Sequence, residues 1–86
     1  MPTTREGARL ELVRERSGLR HFLAGQPIHA GYGLELQLEG GSWIAGRYEW
    51  SFREGTRPVL YVAIAGGGLV SFEIPENALL RWPSER

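Results

Sequence analysis

The stretch 33–53, GLELQLEGGSWIAGRYEWSFR, limits the folds open to this chain more than any other. Leu34, Leu36 and Leu38 alternate with Glu35, Gln37 and Glu39. A period of two puts the leucines on one face of a strand and the polar groups on the other. Gly40 and Gly41 then accept the positive φ of a tight turn. On the return, Ile44, Tyr48, Trp50 and Phe52 share one face, and Arg47, Glu49, Ser51 and Arg53 the other. Gly46 stands on the apolar face, which predicts a crossing strand or a bulge at that point. Trp43 has the opposite parity from Ile44, so alternation sends it outward.

Short strands and frequent turns make up the rest. Residues 9–13 (RLELV) alternate, 15–18 (ERSG) read as a turn, and 19–23 (LRHFL) as the returning strand. A helix over 4–16 competes, because Glu6, Glu11 and Glu15 interleave with arginines as they would on a helix surface. Residues 24–27 (AGQP) turn, and 28–33 (IHAGYG) lead into the central hairpin. A polar loop, 54–58, ends at Pro58. The apolar run 59–65 (VLYVAIA), rich in β-branched and aromatic residues, predicts a strand covered on both faces. Residues 66–68 are a turn, 69–74 (LVSFEI) a strand, and 75–78 (PENA) a single helical turn opened by proline. Residues 79–82 supply a last short strand. Residues 1–7 and 83–86 read as tails around one domain, 8–82.

The class is therefore all-β, with about five to seven short antiparallel strands. For 86 residues, a strongly bent, partly open barrel is expected to bury apolar area better than two separate sheets. With no cysteine, the chain has neither disulfides nor thiolate metal ligands, and a cytoplasmic location is the default expectation. No apolar run reaches the length of a membrane span, and no signal-peptide pattern opens the chain. Ten arginines balance ten glutamates, and a neutral chain is a poor match for nonspecific nucleic-acid binding. Lysine and aspartate are absent. That excludes Asp-assisted triads, Schiff-base or P-loop lysines and EF-hand loops.

Three features together resemble an SH3-like barrel: the strand, glycine turn and Trp-led strand over 33–48, the later hairpin around 66–68, and the turn 74–78 before a last strand. The resemblance covers about 31–82 and implies a single 3₁₀ turn before the final strand. The acidic, tyrosine-rich segment of eukaryotic SH3 domains is missing, so polyproline binding does not carry over. A more distant likeness is to the barrel-type dihydrofolate reductases carried on bacterial plasmids and gene cassettes, through Trp43-Ile44-Ala45-Gly46 and Val70-Ser71-Phe72-Glu73-Ile74-Pro75. Those reductases line their pore with a Val-Gln-Ile-Tyr segment. Here Val70-Ser71-Phe72-Glu73 matches only at its first position, so the activity does not carry over. The stretch 19–48 also resembles small bacterial domains of unknown function.

The candidate binding residues are Trp43, Tyr32 and Arg47, which are residue types enriched in interface hot spots. They predict an exposed aromatic patch with a charged handle; the alternative has Trp43 fold over the end of the barrel or cover a self-association surface. His21 and His29 would need Glu35, Glu39 or Glu73 to hold a metal or exchange protons, and no HxH or HExxH spacing exists. Two partly exposed histidines are expected instead. Glu49 and Glu73 read as solvated strand charges rather than a glycosidase pair. Residues 66–68 form a turn, because a phosphate loop would need a following helix and lysine. Arg5, Arg9, Arg14, Arg16 and Arg20 read as a solubilising edge. The resulting expectation is a noncatalytic protein-interaction module with no catalytic residue, metal or cofactor. It would engage a protein partner or self-associate. A homo-oligomeric ligand-binding or enzymatic barrel, with its site on a symmetry axis, is the alternative. A nucleic-acid-binding barrel comes third.

Overall fold

A computed structural model describes residues 7–83. Eight strands follow one another: β1 (Glu11–Glu15), β2 (Gly18–Leu23), β3 (Gln26–Pro27), β4 (Gly33–Gln37), β5 (Trp43–Glu49), β6 (Val59–Ala63), β7 (Leu69–Glu73) and β8 (Leu80–Arg81). All pairings are antiparallel. The all-β expectation holds, and no described residue is helical. The competing helix over 4–16 is replaced by β1 in its described part; residues 4–6 lie outside the described residues. β8 falls within the last short strand expected over 79–82, whereas β3, two residues long and too short to register as alternation, occupies the end of the stretch 24–27 expected to be only a turn.

The strands divide between two sheets, in the orders β1-β2-β3 and β7-β6-β5-β4-β8, and do not close into a barrel. This corrects the expectation of a bent, partly open barrel in place of two sheets. The hydrogen-bonded path breaks between β3 and β4, where the chain turns through Ala30 and Gly31. The sheets are still tied together. The Trp82 indole, just after β8, donates to the Leu23 carbonyl on β2 at 2.9 Å. Ala8 and Leu80 exchange reciprocal backbone bonds of 2.8 Å. In place of a 3₁₀ segment, one bond from Ala78 N–H to the Pro75 carbonyl, 3.1 Å, closes the turn before β8.

One core fills the space between the sheets. Leu23 and Ile28 come from the first, and Leu34, Leu36, Tyr48, Trp50, Leu60, Val62, Ile74 and Leu80 from the second and its flanks. The central hairpin pairs Leu36 with Ile44 and Leu34 with Gly46. A Cβ on Gly46 would stand 2.6 Å from Leu60 Cγ and 2.8 Å from the Tyr61 carbonyl oxygen. The glycine is there because β6 crosses so closely.

Three details depart from simple alternation. Leu38 leaves β4 at the turn and is exposed. Phe52 adopts φ +64°, which takes the chain out of extended geometry and leaves its ring exposed against Trp50. The run 59–65 is covered on one face only: Leu60 and Val62 are buried, whereas Ala63, Ile64 and Ala65 are exposed.

Candidate functional site

Two surfaces combine chemistry-bearing side chains. The first is the outer face of the five-stranded sheet, which carries two of the three residues expected to form the patch. Trp43 and Arg47 share this face of β5, four positions apart and so separated by roughly 13 Å along the strand. Trp43 is half-buried. The Arg81 guanidinium lies 4.1 Å above its ring, and the ring edge sits where a side chain at Gly7 would be. Arg81 also bonds Glu35 across the strands. Arg47 stacks over Tyr61 at 5.1 Å and is held by Glu49 at 2.9 Å. Each arginine is thus fixed between an aromatic ring and a carboxylate. Tyr32 stands apart from this face, against Trp82 and His29. The expected trio is therefore two linked pairs and a separate tyrosine.

The second surface is a cleft of about 370 Å³ lined by Leu10, Leu12, His21, Trp50, Gly55, Thr56, Arg57 and Glu76. It opens between β1, β2 and the loop that follows β5. His21 is 3 % exposed, which overturns the expectation of a partly exposed histidine. Its Nδ1 lies 2.9 Å from the Tyr48 hydroxyl, and its ring rests on Trp50 with centroids 4.3 Å apart. Burial, reinforced by the Arg57 charge, lowers its pKa to about 4, so the imidazole is neutral at pH 7. Burial raises the pKa of Tyr48, whose hydroxyl keeps its proton. That proton has one acceptor among the described residues, His21 Nδ1. The neutral ring therefore carries its own proton on Nε2. No described residue bonds Nε2, and among the described residues no buried side-chain nitrogen or oxygen lacks a partner. Nε2–H thus keeps access to the cleft.

Arg57 completes the polar side. Its Nε and Nη2 donate to the Ile74 carbonyl at 3.0 and 2.9 Å, which fixes the guanidinium and leaves its other N–H groups over. No carboxylate among the described residues lies within salt-bridge distance of it. The Trp50 indole donates to the carbonyl and hydroxyl of Thr56, which holds the 53–57 loop as the opposite wall.

The remaining candidates stay apart. His29 is exposed and contacts Arg20 and Tyr32. Glu49 and Glu73 flank Val59 on neighbouring strands, roughly 10 Å from each other. Among the described residues no three His, Cys, Asp or Glu side chains cluster to hold a metal. Of the N-terminal arginines, Arg14 pairs with Glu54, and Arg20 with Glu15 and the Ile28 carbonyl. Arg5 lies outside the described residues.

The cleft was partly legible. Leu19, His21 and Leu23 share one parity in LRHFL, which places His21 on the apolar face. Nothing in the sequence marked Arg57, whose position depends on a loop folding back to β7. No family model matches this chain, and no curated protein or solved structure matches it.

Proposed function

We propose that this protein is a noncatalytic interaction module that engages a protein partner through the outer face of its five-stranded sheet. The pair of arginine–aromatic stacks carries this reading. Arg81 on Trp43 and Arg47 on Tyr61 present hot-spot residue types in fixed conformations, so docking costs little further side-chain entropy. No described element covers this face, and the small, exposed Ala45 leaves an approach between the two stacks. The buried His21 lies on the core side and takes no part in it.

Comparative affinity capture with the full chain tests this reading. A partner held by the wild type should be lost with Arg47→Glu and weakened at least tenfold with Tyr61→Ala, and it should be retained by Glu76→Gln. Equal retention by Arg47→Glu would remove the outer face from consideration. Trp43→Ala is a poorer probe, because its ring packs on Gly7 and its loss would disturb the fold as well.

A further inference from the structure

We propose that the cleft between β1, β2 and the 53–57 loop is a binding site for a small monocarboxylate with a flat apolar body. This proposal is independent of the outer-face reading.

The donors converge on one side. His21 Nε2–H faces the cleft because Tyr48 occupies Nδ1. Arg57 lines the same cleft, is held in place by the Ile74 carbonyl, and has no carboxylate within salt-bridge distance among the described residues. A fixed guanidinium with spare N–H groups is a natural partner for a carboxylate. A neutral N–H beside it adds a second donor without a second charge. Trp50, which rests against the His21 ring, and the two leucines, Leu10 and Leu12, add apolar lining suited to a ring. Half-exposed Leu12 gains cover when the cleft fills. A volume of about 370 Å³ falls in the range of small-ligand sites.

Glu76 at the rim limits the charge of the ligand. One arginine balances one negative charge, and a dianion such as phosphate would meet the Glu76 carboxylate uncompensated. That favours a carboxylate over a phosphate ester.

The test is a titration of the isotope-labelled full chain followed by NMR. Phenylacetate is the probe, with benzyl alcohol as its uncharged counterpart and inorganic phosphate as the dianion. Phenylacetate should shift the Trp50 indole and His21 ring signals saturably, in the millimolar range or tighter, and at least tenfold more tightly than either control. Arg57→Gln should weaken phenylacetate binding by about ten- to a hundredfold, the range for a hydrogen bond to a charged group. Should that variant fail to fold, Glu76→Gln supplies a second reading on an exposed position. Removing the rim charge should tighten phenylacetate about two- to fivefold and leave benzyl alcohol unchanged. Three results would overturn the proposal: no saturable shift at Trp50 or His21, benzyl alcohol binding as tightly as phenylacetate, or phosphate binding more tightly than both.

Discussion

His21 is the residue whose environment does most to set how this protein responds to pH. It is buried, neutral and hydrogen-bonded through Nδ1 to a tyrosine that keeps its proton. Its pKa falls from 6.5 to about 4 on folding, chiefly through burial and secondarily through Arg57. The unfolded chain therefore takes up a proton first as pH falls. Stability from this group is fully present above pH 6.5 and is lost between 6.5 and 4. Between pH 7 and 4.5 the loss amounts to about 2–3 kcal/mol. Carboxylates titrate in the same window, so the measurement is a difference. Urea denaturation of the wild type should lose that much more stability over this interval than His21→Gln does. Equal losses would mean that folding does not lower the pKa of this imidazole.

At the scale of elements, the sequence spoke most clearly where both alternation and a turn were present. The β4–β5 hairpin, the close approach at Gly46 and the β6–β7 turn were all readable because residues two apart share a face. Alternation was silent on the two-residue strand β3, on the division into two sheets, and on how far each apolar run is covered. Those depend on which strands meet across the core. β7 shows the consequence. It pairs only with β6 among the described residues, and Leu69 and Val70 are exposed, with Ile64 beside them. The bonds from Ile64 N–H to Gly68 and from Ile74 N–H to Pro58 set the phase of the ladder. Residues 68, 70, 72 and 74 turn their backbone groups toward β6, so Leu69, Ser71 and Glu73 turn theirs to the open edge. An open edge with apolar residues and no charge before Glu73 pairs readily with another copy. Light scattering over a hundredfold range of concentration should show an apparent mass rising with concentration. Ser71→Pro should abolish the rise while leaving β6 pairing intact, since the lost N–H faces outward. A constant monomer mass in the wild type would show that the edge is already protected.

For the whole molecule, the question is whether two sheets make one cooperative unit. The radius of gyration, 12.9 Å, exceeds the roughly 12 Å expected for a domain of this length, and the longest extent is 41 Å. An elongated shape with separate sheets would permit separate unfolding. The core argues otherwise. Leu23 on β2 and Ile28 beyond β3 are fully buried in the same cluster as Leu34, Leu60, Ile74 and Leu80. Neither sheet can lose the other without exposing the apolar face of both. Leu23→Ala removes side-chain volume from the three-stranded sheet and should cost about 2–5 kcal/mol. The three tryptophans report on the other side, since Trp43, Trp50 and Trp82 belong to the five-stranded sheet or its flanks. If the domain unfolds as one, tryptophan fluorescence and far-ultraviolet circular dichroism should follow the same transition in the variant. Both should shift to lower denaturant by the same amount. A fluorescence midpoint that stays at its wild-type value would mean that the five-stranded sheet stands alone. In that case the cleft, whose walls come from both sheets, would open before the outer face unfolds.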